Sequence, residues 1–104
     1  MTDVRRSSTG DGLVVTVPLR GEIDVVTAEA ITAVLHDPEL ARASCLRFDL
    51  RAVTFMDSQG VRALLDVQRS VSAQGMALAV VEAPRQVRRL LAITGADRVI
   101  DVVD

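Results

Sequence analysis

The sequence predicts a single α/β domain over residues 1–104, with helices packed against a mixed, mostly parallel sheet of four to five strands. Short β-branched runs alternate with segments of helical periodicity, and an Asp-Gly turn signal precedes them. The expected order is β-β-α-β-α-β-α-β. In this order single helices join parallel strands by right-handed crossovers, and the first two strands form a hairpin.

Amino-acid composition by itself argues against several classes of function. Hydrophobic residues make up 49% of the chain, but only Phe48 and Phe55 are aromatic. Proteins that bind single-stranded nucleic acid by stacking need more aromatic side chains than this. The 14 acidic and 12 basic residues give a net charge of −2, so a general nucleic-acid binder is not expected. The chain has no lysine, which excludes lysine-nucleophile chemistry.

The first third of the chain is predicted to form a hairpin and a helix. Residues 4–8 and 13–20 can pair across the turn signal at 10–12. The first twelve residues are therefore expected to be weakly ordered or to form an edge strand. Thr27 is predicted to cap a helix that ends before Pro38, because the residue preceding a proline leaves the helical conformation.

The remaining chain is predicted to alternate strands with helices. Arg62 and Asp66, four residues apart on the longer helix, are expected to form an ion pair. The unbroken apolar run at 76–81 predicts a strand that is covered on both faces. The expected elements are, in order, a strand at 45–50, an extended segment at 53–56, a helix at 58–72, a strand at 76–81, a helix that follows Pro84 and ends before Gly95, and a strand at 99–103.

The segment 54–60, Thr-Phe-Met-Asp-Ser-Gln-Gly, is the most informative, because a strand ends there and a helix begins. Serine is a good helix cap, so the simpler interpretation of Ser58 is a structural cap. The functional interpretation is a modification site. A helix N-terminus offers free N–H groups and a positive dipole end, which accommodate a phosphate on Ser58. The adjacent Asp57 carboxylate opposes that added charge.

At these residues the sequence resembles the STAS domains, specifically the bacterial anti-sigma factor antagonists. The segment 54–60 is similar to the phosphorylation loop of that family. Gly21-Glu22-Ile23-Asp24, followed by Thr27-Ala28, resembles the element before the family's first helix. Residues 92–95 resemble its helix-ending segment before the last strand. The three elements occur in the family's order. Gln59 departs from the pattern, since the family often has a small residue there.

The resemblance implies partner switching in transcription regulation, in a stress response or in sporulation. An unphosphorylated antagonist binds an anti-sigma factor that is also a GHKL-type serine kinase, and this binding frees a sigma factor. Phosphorylation of the loop serine, which matches Ser58, releases the antagonist, and a PP2C-type phosphatase resets it. The residues expected at the partner surface are Asp24, Thr27, Asp57, Ser58, Gln59 and Gly60.

The same resemblance implies that the protein is not an enzyme and uses no cofactor or metal. Direct contact with nucleic acid or with a membrane is not expected. The start of the sequence shows no signal-peptide pattern, and no apolar run approaches the ~20 residues of a membrane span. We therefore expect the cytoplasm as the compartment.

Two functions from other classes remain open at this point. One is a STAS accessory subunit of a lipid or anion transport system, which needs no kinase cycle. The other is a sensor of small molecules or nucleotides, although the sequence lacks a Gly-rich phosphate loop. A hydrolase nucleophile at Ser58 is disfavoured, because Met56 stands where a Gly-x-Ser-x-Gly elbow needs its first glycine.

Other polar residues have simpler interpretations than catalysis. Asp24 and Asp57 could form an acid–base pair or a metal site, but solvated acids at an interface are preferred because no histidine accompanies them. His36 is expected to be exposed near a helix end, and Cys45 to be a small, inert core residue. A basic, solvent-exposed face of the third helix is expected from Arg85, Arg88 and Arg89.

Overall fold

The computed structural model describes residues 5–9 and 12–103, with the backbone alone for 5–9 and 12. Over these residues the predicted order of strands and helices is confirmed. The elements are β1 (Arg5–Thr9), β2 (Gly12–Ile23), α1 (Ala28–Ala33), β3 (Ala43–Met56), α2 (Ser58–Ser72), β4 (Ala77–Val81), α3 (Arg85–Ile93) and β5 (Asp101–Val103). Short 3₁₀ turns occupy Val34–His36, Pro38–Arg42 and Ala96–Arg98.

The five strands form one mixed sheet in the order β1-β2-β3-β4-β5. β1 pairs with β2 in the antiparallel direction, as the predicted hairpin requires, and β2 to β5 are parallel. The two residues between β1 and β2 lie outside the described residues. Because the parallel strands follow chain order across the sheet, right-handed crossovers place the three helices on one face. No helix in the described part of the chain is long and apolar enough to cross a membrane.

The core lies between the sheet and these helices and is almost entirely aliphatic, in keeping with a sequence that holds only two aromatic residues. Phe48 is its single aromatic side chain and is fully buried in the central strand. The buried inward-facing strand residues include Val15, Val17, Leu46, Phe48, Leu50, Leu78 and Val80.

Among residues 13–103, the buried polar side chains are Thr16 and Asp49 on the opposite face of the sheet, and both have partners. Arg47 donates from Nε and Nη2 to Thr16 Oγ1, at 3.2 and 3.1 Å. The carboxylate of Asp49 accepts the backbone N–H of Arg51 at 3.0 Å. These bonds offset the desolvation of the polar groups.

Two strands are longer than predicted. The second strand was expected at 13–20, but β2 runs without interruption from Gly12 to Ile23. Likewise β3 joins the two segments predicted at 45–50 and 53–56. Shifts in the β2–β3 register near Pro18 and Gly21 absorb the local irregularity, so the pairing continues. The last strand begins at Asp101 rather than at residue 99, because the backbone N–H groups of Val99 and Ile100 donate to the carbonyl of Ala96, at 3.1 and 2.9 Å.

The predicted ion pair between Arg62 and Asp66 is wrong. Asp66 Oδ1 instead accepts from Arg69 Nη2 at 2.7 Å, on the side of α2 nearer its C-terminus. Residues three and four apart are both neighbours on a helix surface, so either arginine is within reach of this carboxylate. Arg62 remains exposed and pairs with no residue in the described part of the chain.

The two phenylalanines provide a matched test of this core. Phe48→Ala should lower the free energy of unfolding by about 3–5 kcal/mol, because it leaves a cavity at a fully buried site. Phe55→Ala should cost less than about 1 kcal/mol, since that side chain is 49% exposed. Urea denaturation followed by circular dichroism measures both, and Phe48→Leu is a milder variant should the alanine variant fail to fold. Equal losses for the two alanine variants would contradict this packing.

Candidate functional site

The carboxyl ends of β2 and β3 lie side by side. Ile23 and Met56 are register partners, and the backbone N–H of Asp57 donates to the carbonyl of Ile23 at 3.2 Å. The connections to α1 and α2 therefore leave the same edge of the sheet. Loops at the carboxyl ends of parallel strands are where α/β sheets form binding sites. We call residues 24–27 together with 57–60 the strand-end surface.

Asp24 organises the first of these connections. Its Oδ1 accepts from the backbone N–H groups of Val26 and Thr27, at 2.9 and 3.1 Å. These donors stabilise the ionised carboxylate, so they hold the pKa of Asp24 below its ordinary value. The Asp24 carboxylate therefore stabilises the turn between β2 and α1.

Thr27 stands at the N-cap position of α1, as predicted, but its side chain does not cap the helix. Its Oγ1 accepts from the backbone N–H of Asp24 and donates to the carbonyl of Glu22, each at 2.8 Å. The hydroxyl therefore closes the turn toward β2, and the predicted capping by Thr27 is wrong.

The prediction of Ser58 as a helix cap is also wrong. The N-cap of α2 is Asp57, whose Oδ1 accepts from the N–H groups of Gln59 and Gly60, at 2.9 and 3.4 Å. Ser58 is the first helical residue and is exposed. Its hydroxyl makes no hydrogen bond within the described residues. The helix start therefore does not depend on the Ser58 side chain.

Gly60 lies beneath the exposed residues of the strand-end surface. It is buried, and a Cβ at this position would come within 2.6 Å of Met56 Cγ and 2.9 Å of Ile23 Cγ2. The absent side chain lets the first turn of α2 pack directly on the ends of both strands. Gly60 was predicted as a partner-surface residue, but the structure gives it this positioning role. Gln59, next to it, is exposed.

Exposed apolar side chains border the predicted residues, and sequence reasoning missed them. Val25 and Val26 are 65% and 73% exposed in the β2–α1 connection, and Phe55 is 49% exposed near the end of β3. Burying such side chains against another protein is favourable. Two adjacent valines inside a turn, at no position of a helical or strand period, are the signal that could have found them.

The structure also places the polar residues that were considered for catalysis or metal binding. The carboxylates of Asp24 and Asp57 each bind their own backbone turn. Within residues 5–9 and 12–103, no group of three His, Cys, Asp or Glu side chains could hold a metal ion.

His36 is exposed, as expected. Cys45 is half-buried, and this burial raises the pKa of its thiol, which disfavours the reactive thiolate. Arg85, Arg88 and Arg89 are all exposed on α3, as expected.

Comparison with known proteins confirms the resemblance found in the sequence. The model of the STAS domain family matches residues 6–104. The anti-sigma-B factor antagonist of Bacillus subtilis (strain 168) is 33% identical over 86 residues, which span 83% of this chain and 78% of the relative.

Solved structures of low sequence identity share the fold. The anti-sigma factor antagonist SpoIIAA of Bacillus, in its unphosphorylated form, is 19% identical with a TM-score of 0.73, covering 98% of this chain and 89% of that one. Its phosphorylated form is 18% identical with a TM-score of 0.67, covering 98% and 92%. The STAS domain of a SulP transporter from Vibrio cholerae is 22% identical with a TM-score of 0.69, covering 88% and 71%.

Substitutions at the start of α2 test which residue caps the helix. Asp57→Ala should lower the free energy of unfolding by about 0.5–2 kcal/mol, because two backbone N–H groups lose their acceptor. Asp57→Asn should retain most of the stability, since an amide oxygen also caps. Ser58→Ala should change stability by less than about 0.5 kcal/mol. Urea denaturation measures all three, and a larger loss for Ser58→Ala than for Asp57→Ala would make Ser58 the cap.

The pKa of Asp24 predicts a specific pH dependence. Because the folded state lowers this pKa, Asp24 contributes stability above about pH 3.9, the ordinary value, and the contribution is lost as the pH falls through the lowered value. The carboxyl carbon of Asp24, followed by NMR, should titrate below pH 3.9. The stability advantage over Asp24→Asn should be constant above about pH 5 and shrink in acid. A midpoint at or above 3.9 would contradict the hydrogen-bonded turn.

Proposed function

The chain belongs to the STAS domain family, and we propose that it acts as an anti-sigma factor antagonist controlled by phosphorylation of Ser58. Its partner is an anti-sigma factor, and antagonist binding frees the sigma factor for transcription. A relative named as an anti-sigma-B factor antagonist matches most of this chain and supports the assignment. Ser58 is then a substrate for modification, and the domain itself is not an enzyme.

The exposed hydroxyl of Ser58 is the observation that carries this proposal. Asp57 provides the cap of α2, so the Ser58 Oγ is not needed for the fold. The serine is also exposed at the strand-end surface. A phosphate on this oxygen therefore changes the surface and leaves the helix start intact.

The unphosphorylated surface suits a protein partner. Val25 and Val26 in the strand-end surface and Phe55 near the end of β3 present exposed apolar area, and burying this area in a complex is favourable. Gln59 is exposed in the first turn of α2, and its side chain can provide polar contacts. We expect this combination of apolar and polar groups to contact the anti-sigma factor.

Phosphorylation of Ser58 weakens the binding of this surface to its protein partner. The terminal phosphoryl group of ATP forms an ester bond with Ser58 Oγ, the bond to ADP breaks, and the hydroxyl proton is released. The ester adds about −1.5 to −2 charge to the surface. Desolvating that charge in an interface costs free energy unless the partner supplies a matching cation. The phosphorylated form is therefore released.

The enzymes of the cycle are part of the proposal. The kinase is the anti-sigma factor itself, of the GHKL type, and a PP2C-type phosphatase removes the phosphate. We place the cycle in the cytoplasm. A SulP transporter's STAS domain shares the fold, so a transport accessory is the alternative. The 33% identity to an antagonist over most of the chain favours the antagonist role.

The substrate role of Ser58 can be tested by mass. The protein is incubated with ATP and each GHKL-type anti-sigma kinase encoded in its genome, and its intact mass is measured. We expect one added phosphate, about 80 Da, on the wild type and on the control Ser70→Ala, which alters another exposed serine of α2. Ser58→Ala should gain nothing.

Binding is measured with the same kinases by calorimetry. Ser58→Ala should bind as tightly as the unmodified wild type and should stay bound in the presence of ATP. The phosphorylated wild type should bind at least about tenfold more weakly, or about 1.4 kcal/mol. Failure of every kinase to bind or modify the wild type would favour the transport alternative.

A further inference from the structure

Arg62 is a charged residue beside the modification site that the proposed cycle has not used. It lies one turn after Ser58 on α2, and its side chain is exposed. The carboxylate expected to pair with it, Asp66, binds Arg69 instead. In the part of the chain that the structure describes, Arg62 has neither a hydrogen-bond nor an ion-pair partner.

Helix geometry places Arg62 within reach of Ser58. Residues four apart on a helix have Cβ atoms about 5–6 Å from each other. Helical side chains also lean toward the N-terminus, so a long side chain covers the turn that precedes it. The guanidinium of Arg62 can therefore reach a group attached to Ser58 Oγ without any movement of the backbone.

None of the nearby acidic groups forms an ion pair with Arg62. Glu29 on α1 and Asp66 on α2 line the same shallow groove between the helices as Arg62, yet neither lies within ion-pair distance of it. The carboxylates of Asp24 and Asp57 accept backbone N–H groups of their own turns. A phosphate carries more charge than any of these carboxylates, and its oxygens match the guanidinium fork.

We propose that Arg62 is the internal partner of the phosphate on Ser58 and binds its oxygens across one turn of α2. This inference rests on the proposed function, because it requires a modified Ser58. Phosphorylation then changes the strand-end surface twice. It adds an anion, and it withdraws the Arg62 cation from any contact with the anti-sigma factor.

The pair can be tested without a kinase, by installing phosphoserine at position 58 through chemical ligation. Phosphorus NMR then gives the second pKa of the phosphate. A guanidinium favours the dianion, so Arg62→Gln should raise this pKa by about 0.5 unit. The matched control, Arg69→Gln, should leave it unchanged, and Arg62→Lys should give an intermediate value. The Nε–H resonance of Arg62 should shift on phosphorylation.

Circular dichroism of each variant checks that α2 remains folded. Equal phosphate pKa values for the wild type and Arg62→Gln would overturn the proposal, as would a shift produced by Arg85→Gln on α3 instead. The two proposals fail separately. If kinases modify Ser58 but the NMR values do not differ, only the role of Arg62 is lost. If the NMR values differ but no kinase modifies Ser58, the pair stands and the proposed cycle is lost.

Discussion

The parallel pairing of β2 with β3 is the interaction on which the site depends. It runs along most of both strands and ends at the Ile23–Met56 pair, so two connections distant in sequence leave the sheet together. Gly60 completes the arrangement, because the absence of a side chain allows α2 to pack against the last residues of both strands. A register shift of one residue would reverse which side chains face the core and would separate these groups.

Two aspartates at this edge use their carboxylates to hold the backbone. Asp24 accepts two N–H groups of its turn, and Asp57 accepts two at the start of α2. Backbone donors at helix starts and turns need acceptors, and short acidic side chains satisfy them locally. The Ser58 hydroxyl is therefore not needed to cap α2. This arrangement suits the proposed phosphorylation of Ser58, because the helix start does not depend on that side chain.

Sequence reasoning failed where more than one hydrogen-bonding or ion-pair arrangement was compatible with the same residues. Both Asp57 and Ser58 are good capping residues, and the choice between them depends on which one has the extended backbone that precedes the first turn. Thr27 was expected to cap α1, but its hydroxyl closes the preceding turn. Asp66 had two arginines within reach, and in the structure its carboxylate binds Arg69. Each of these outcomes depends on the local backbone and side-chain geometry, which the sequence pattern does not specify.

Periodicity and turn residues were sufficient to establish the order of elements, the aliphatic core and the bounds of α2, because these follow from which side chains must leave water. The segment 54–60 was sufficient to locate the site, since a strand end followed by a helix start is a local pattern. The exposure of Val25, Val26 and Phe55 and the buried position of Gly60 depended on packing. The position of Gly60 is the clearest case, because α2 packs there on Ile23 of β2 as well as on Met56, and a contact with a strand so distant in sequence is not encoded by a local pattern.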